Sequence, residues 1–334
     1  DTGISKDFSY DFKNGKNRVG KKMNRTFRKL DKAWENALCL PVYPGSRMVF
    51  MSDCHRGIGN WGDNFQPNQN LFFAALQYYY RRRFTYIELG DGDELWENRK
   101  LKEIIQVHSN QFWMMSEMYR ENRFYMIYGN HDRKKGEDRF FGKICNTYYC
   151  ESEGVERDLF PGMKVQEAIR LKDSCNGQEI FLVHGHQGDL WNDTLWKLSR
   201  FLVRYVWRRL ELAGCNDPTS TAKNYHKKEK TEKRLAQWAE KNKKILIAGH
   251  THRPVFPKPG KGYYFNDGCC VHPRCITAME LERGALSLVK WSMEVREDNL
   301  IYIGRQVLEG PVSIKEYEEK NSFTLYYAII SVWV

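Results

Sequence analysis

Five short apolar runs in this chain each end in side chains that bind metal ions or move protons. They are Met51-Ser52-Asp53-Cys54-His55, Leu89-Gly90-Asp91-Gly92-Asp93, Tyr128-Gly129-Asn130-His131-Asp132, Leu182-Val183-His184-Gly185-His186 and Ile245-Leu246-Ile247-Ala248-Gly249-His250-Thr251-His252-Arg253-Pro254. Mixed sets of carboxylate and imidazole ligands suit borderline divalent metals such as Mn, Fe and Zn. Asp53 with His55, and His250 with His252, are spaced two apart, so a strand pleat carried through them would point both members to one face. One such pair arises easily by chance. Five strand-end motifs carrying only oxygen and nitrogen donors describe a metal centre rather than five unrelated turns.

The elements that must position these residues follow from periodicity. Apolar runs with β-type residues predict strands at 47–52, 85–89, 124–128, 179–183, 244–248 and 263–266, with further strands from residue 278 onward. Helical spacing predicts helices over 71–82 and 95–121. The order strand, helix, strand, helix, strand favours an α/β layered core, and the pattern alone reads as an open α/β sheet. In such a sheet, ligands at the carboxyl ends of the strands converge on one crevice. The loop 53–69 is too long for a plain connector.

The expected domain organisation has a basic N-terminal extension, 1–46, with a helix over 23–40. One domain then covers 47–334, interrupted by a basic helical cap insertion at 187–243. The net charge of the chain is +11, and residues 191–244 hold 14 Lys and Arg against 6 Asp and Glu. A helix over 191–212 would put Leu195, Leu198, Leu202, Val206 and Leu210 on one face, with Lys197, Arg200, Arg204 and Arg208 nearly opposite. It reads either as an ordinary surface helix or as a lid over an anionic or amphiphilic substrate. Peripheral contact with an anionic surface through 191–244 is a further expectation, which would put the protein at the membrane surface. Nucleic acid stays open as a partner, although few aromatics interleave the lysines. Nine scattered cysteines without CxxC pairs argue for reduced thiols and a cytoplasmic setting. No apolar run is long enough to cross a bilayer, and 323–334 reads as a buried strand.

The ordered series D-x-H, G-D, G-N-H-D, H-G and G-H-x-H, from Asp53 to His252, resembles the calcineurin-like metallophosphoesterase family. The resemblance implies a two-sheet β-sandwich flanked by helices, with two divalent metal ions at the strand ends. It implies that Asp53, His55, Asp91 and His252 hold one ion and that Asp91, Asn130, His184 and His250 hold the other. It implies a phosphoesterase that cleaves a phosphodiester or pyrophosphate by in-line attack of a metal-bridging hydroxide. His131 would protonate the leaving group, and Asp132 would orient its imidazole. Arg56, Asn130 and His186 are the candidate substrate-binding residues, Arg56 because a guanidinium matches phosphate in bidentate fashion. Asp93 and Glu94 read as supporting or capping groups. The layout is similar to the UDP-2,3-diacylglucosamine pyrophosphatase-like branch, which carries a helical cap between the same two motifs. The chain departs from that branch at His131, where arginine is common. The substrate this implies is a phosphorylated small molecule, nucleotide-linked or lipid-linked. A nuclease and a phosphomonoesterase acting on protein or small molecules are the alternatives, and the oligomeric state is not legible.

Overall fold

A computed structural model describes residues 19–137, 147–150, 153–189 and 225–317. Helix α1 (Val19–Glu35) leads into β1 (Leu38–Val42) and β2 (Arg47–Met51). Next come α2 (Gln69–Arg81), β3 (Thr85–Leu89), α3 (Leu101–Val107), α4 (Ser109–Arg120) and β4 (Phe124–Ile127). A small hairpin of β5 (Thr147–Cys150) and β6 (Val155–Asp158) precedes β7 (Ala168–Asp173) and β8 (Glu179–Val183). Helix α5 (Tyr225–Asn242) follows, then β9 (Ile245–Ala248), β10 (Tyr264–Asn266), β11 (Cys275–Glu282), β12 (Ala285–Val295) and β13 (Ile301–Ser313). Among the described residues no helix is long and apolar enough to cross a membrane.

The strands form two main sheets rather than the single open sheet that the pattern alone suggests. One has the order β1-β7-β8-β9-β10 and the other β13-β12-β11-β2-β3-β4. Within the second, β2, β3 and β4 are mutually parallel, and within the first β8, β9 and β10 are. All five chemical motifs therefore leave parallel strands at their carboxyl ends. The strands that carry them are buried on both faces, which is why they read as unbroken apolar runs. On β2, Met48 and Phe50 join the core between the sheets, while Val49 and Met51 join a second core beneath α2 and α4. Each such side chain contributes about 1.5–3 kcal/mol of burial. That rigidity gives the site loops a fixed base. The outer face of the first sheet is covered by α1 and α5, where Trp34 and Trp238 each stand 5.2 Å from the ring of Phe181.

Three expectations change. The 23–40 helix ends at Glu35, because Leu38 to Val42 pairs in parallel register with β7 and Pro41 disfavours helix at the residue before it. Residues 38–42 are thus an edge strand of the sandwich, and Leu30 and Ala33 of α1 sit in its core. A boundary at residue 46 would cut through the first sheet. The single long helix over 95–121 is two helices. His108 separates them, turned inward with Nε2 3.0 Å from Asp63, while residues before 101 are held in the site loop. The insertion 187–243 is described only at its ends, and it returns through α5. The 191–212 helix and the 323–334 strand lie outside the described residues.

Candidate metal centre

The ligand pairs do not converge by the pleat of a strand. β2 ends at Met51 and β9 at Ala248, so Asp53, His55, His250 and His252 all lie beyond strand ends. Instead the backbone takes the left-handed region at Asp53 (φ 53°), His55 (48°), Asp91 (50°), His250 (69°) and His252 (54°). A non-glycine residue there costs free energy and persists only where the surroundings over-determine it. Five such residues at candidate ligand positions mark these loops as built for what their side chains do.

Glycines let the loops approach. A Cβ on Gly129 would fall on Asp91 Oδ1, and one on Gly249 would fall on Ser52 Oγ and stand 2.6 Å from Asp53 Oδ2. Gly249→Ala should therefore destabilise the fold by about 1–3 kcal/mol and weaken metal binding by displacing Asp53. Urea denaturation and metal titration check this, and a variant equal to the wild type in both would refute the close approach.

Main-chain amides orient the two aspartates. Asp53 Oδ2 accepts the His250 N–H (2.7 Å) and Asp91 Oδ1 accepts the His131 N–H (2.8 Å). The remaining oxygens face imidazoles. Asp53 Oδ1 lies 3.0 Å from His252 Nε2 and 3.7 Å from His55 Nε2. Asp91 Oδ2 lies 3.1 Å from His184 Nε2 and 3.9 Å from His55 Nε2. His184 donates its Nδ1–H to the Leu89 carbonyl at 2.9 Å, which fixes its tautomer and turns the Nε2 lone pair inward. Three groups of donors thus gather: Asp53 with His55 and His252, Asp91 with His184 and His250, and, joined to the first through His55, Glu94 with His131. Asp91 Oδ2 lies near members of the first two.

The donors fit divalent cations. Asn130 is 1% exposed, yet neither its Oδ1 nor its Nδ2 has a hydrogen-bond partner. Asp53 Oδ1, His184 Nε2 and His250 Nε2 are also buried without hydrogen-bond geometry. Orphaned polar atoms of this kind are costly, and coordinated cations would satisfy them. Burial would raise Asp53 and Asp91, but the surrounding histidines hold both carboxyls well below the usual range.

His131 is placed by Glu94 rather than by Asp132. Glu94 accepts from Nδ1 of His131 (2.8 Å) and from Nδ1 of His55 (2.9 Å). An ionised carboxylate only accepts, so both imidazoles carry their proton on Nδ1. Burial would raise Glu94, yet His131 and His55 hold it at about 2. Burial lowers the His131 pKa, and the charges of Glu94 and Asp91 outweigh it, leaving the imidazole raised. Trp96 stacks on the His131 ring with centroids 4.1 Å apart and donates its Nε1–H to the Asn130 carbonyl (2.7 Å). The expected Asp132–His131 pairing is corrected. Asp132 instead accepts from the amides of Gly129 (2.7 Å) and Gly92 (3.0 Å) and pairs with Lys135 at 2.9 Å. A short side chain three bonds from its own backbone satisfies these amides before it can reach a neighbouring ring.

Arg56 does not reach the substrate side. It is fully buried, with Nε 2.7 Å from Asp93 Oδ1 and Nη2 2.8 Å from Glu88 Oε2. Two carboxylates on the adjoining strand and loop take its fork. Lys135 joins them, 2.5 Å from Asp93 and 2.9 Å from Asp132. This buried ionic layer ties together the loops after β2, β3 and β4. His186 is buried beside His184, ring centroids 5.5 Å apart, and has no partner on Nδ1. Burial, then the charge of His184, push its pKa well below the imidazole value.

Ser52 and Asp267 carry no signal in the motifs, yet they buttress Asp53. The Ser52 hydroxyl lies 2.5 Å from Asp53 Oδ2 and 2.8 Å from Asp267 Oδ1. One hydroxyl has one proton, so it cannot donate to both. Burial and then the charge of Asp53 raise the Asp267 carboxyl well above its usual value. Trp96 had only one hint in the chain, its place two residues after Glu94 in a loop already rich in acids.

A family profile described as calcineurin-like phosphoesterase matches residues 46–254. Among solved structures, that of Chaetomium thermophilum Vps29 is similar at 10% identity, covering 78% of this chain and 96% of that one with a TM-score of 0.36. No curated protein matches. Because the family match takes in more than half of the 334 residues, and its span includes every candidate ligand position from Asp53 to His252, this chain belongs to the calcineurin-like phosphoesterase family.

Proposed function

We propose that the protein hydrolyses a phosphodiester or pyrophosphate bond in a nucleotide-linked or lipid-linked substrate. The coarser chemistry, metal-dependent phosphoester hydrolysis, follows from the family. The observation that carries the reading is the position of Asp91 Oδ2 between two ligand sets, with its other oxygen on the main chain of His131. Asp53, His55, Asp91 and His252 would hold one cation, and Asp91, Asn130, His184 and His250 the other. Bound there, divalent ions of the Mn, Fe or Zn type supply Lewis-acid activation of water and of the phosphoryl group.

The chain's own residues do the rest. Glu94 keeps the His131 Nδ1–H engaged and leaves Nε2 as the atom that gives a proton to the departing oxygen. Trp96 holds the ring plane. The Leu89 carbonyl and the His250 amide keep His184 and Asp53 in their ligating orientation.

Support for a diester or pyrophosphate comes from the length of the insertion between the fourth and fifth motifs and from its excess of positive charge. The described cysteines are all free thiols, which supports a reducing, cytoplasmic setting. Contact of 191–244 with an anionic membrane surface belongs to the same reading.

The test is hydrolysis of an aryl phosphodiester beside the matching monoester, with added Mn²⁺ and again after chelation. Cleavage of the diester over the monoester, abolished by the chelator and restored by Mn²⁺, is the expected result. Preference for the monoester would make the protein a phosphatase. Cleavage of single-stranded or duplex DNA in preference to both would make it a nuclease.

A further inference from the structure

We infer that Lys228, on the helix by which the basic insertion re-enters the domain, binds the phosphate oxygens of the substrate. This deepens the phosphoester reading and rests on it for the nature of the ligand.

Helix α5 packs directly on the loops that carry the ligands. Residues 228, 231, 232 and 235 are spaced three and four apart and share one face of it. Thr231 and Leu235 pack against Gly188 and Gly185, in the turn that carries His184 and His186. Glu232 accepts from Thr251 Oγ1 (2.8 Å) and from Arg253 Nε (3.1 Å), the residues on either side of His252. One helical turn before Glu232 on that face comes Lys228, half-buried.

Among the described residues Lys228 has no hydrogen-bond or ion-pair partner, and Glu232, the acid one turn along its own helix face, is already engaged. Thr251 and Arg253 occupy both Glu232 oxygens. Its neighbours on that helix face, Thr231, Glu232 and Leu235, are the residues that touch the ligand-bearing loops, which puts the lysine on the side of α5 turned toward them. A lysine partly withdrawn from water, flexible and without a counter-charge recruits an anion readily. The neighbouring residues Lys227 and Lys230 and the rest of the basic insertion reinforce the same sign. The lysine thereby gives the insertion a direct role at the reacting group as well as a general electrostatic one.

The experiment measures inorganic phosphate binding by calorimetry on the full chain loaded with Mn²⁺. Four proteins are compared: wild type, Lys228→Met, Lys228→Arg and Lys230→Met. Lys230 is exposed on the same helix and controls for the charge change. Loss of a charge-assisted contact should weaken phosphate about 10-fold or more in Lys228→Met. Metal content should be unchanged, Lys228→Arg should recover most of the affinity, and Lys230→Met should match the wild type. The same variant should raise KM for an aryl diester with kcat nearly kept. Phosphate binding unaltered in Lys228→Met, or weakened equally in Lys230→Met, overturns the inference. A wild type that binds phosphate through Lys228 but cleaves no ester would overturn the phosphoesterase reading and leave this one standing.

Discussion

His131→Ala is expected to lower kcat by about 10²–10⁴-fold with metal content and fold unchanged. The separation of the two effects follows from which atoms touch what. The contact that His131 makes with Asp91 is through its main-chain N–H, 2.8 Å from Oδ1, and alanine keeps it. Asp91 therefore holds its orientation between the two ligand sets. The imidazole itself contacts Glu94, Trp96 and the edge of the His55 ring at 4.6 Å between centroids; of these only His55 is assigned to a cation, and its own bond to Glu94 keeps it in place when the neighbouring ring is removed. A proton donor matters most when the departing oxygen is basic. Across a series of aryl esters, the loss should be largest for the poorest leaving groups and small for nitrophenolate-type ones. Metal analysis beside the leaving-group series decides the matter. A loss equal for all leaving groups would remove the proton-donor role, and loss of metal would make His131 part of the binding site.

The second large effect is on stability. Arg56→Met should destabilise the protein by about 3–5 kcal/mol, the usual result of breaking a buried ion pair by removing one partner. Glu88 and Asp93 are fully buried, and their charges are balanced by Arg56 and Lys135 alone among the described residues. Burial would raise Asp93, and Arg56 with Lys135 holds it at about 2, so taking Arg56 away leaves a buried carboxylate with Lys135 as its remaining cation and burial pushing its pKa up. Arg56→Lys should rescue little, because the guanidinium serves two carboxylates in two directions and an ammonium cannot. Urea denaturation gives the stability and steady-state kinetics give KM. Unchanged stability with KM raised about 10-fold would return Arg56 to the substrate-binding role that its place after His55 suggested.

These two residues show where sequence stops being informative. The candidate ligands were legible because they follow apolar strand ends and because metal binding needs particular atoms, whatever the fold around them. Arg56 was misread because a guanidinium next to a ligand pair suits phosphate and buried carboxylate equally well. Only the position of Glu88 and Asp93, 32 and 37 residues further on, chooses between them. Asp132 was misread for a related reason. It is adjacent to His131 in the chain, but the amides of Gly129 and Gly92 are closer to it in space than the neighbouring ring. The predicted 95–121 helix failed because its first turn is committed to the site. Glu94 and Trp96 hold His131, so the chain becomes helical only at Leu101.

By itself, the sequence determined the family, the candidate metal donors and the alternation of strands and helices that carries them. Those follow from residue type and spacing, which are local. The tertiary structure decided three things that depend on distant neighbours. It folded the strands into two sheets rather than one, with residues 38–42 as an edge strand of the first. It brought the ligands together through left-handed turns rather than a strand pleat, since the surrounding loops over-determine a backbone that no local preference would select. It also gave His131 to Glu94, Asp53 to Ser52 and Asp267, and Arg56 to a buried ionic layer. A buried polar group pairs with whatever partner packing brings within hydrogen-bond reach, and separation along the chain does not enter that distance.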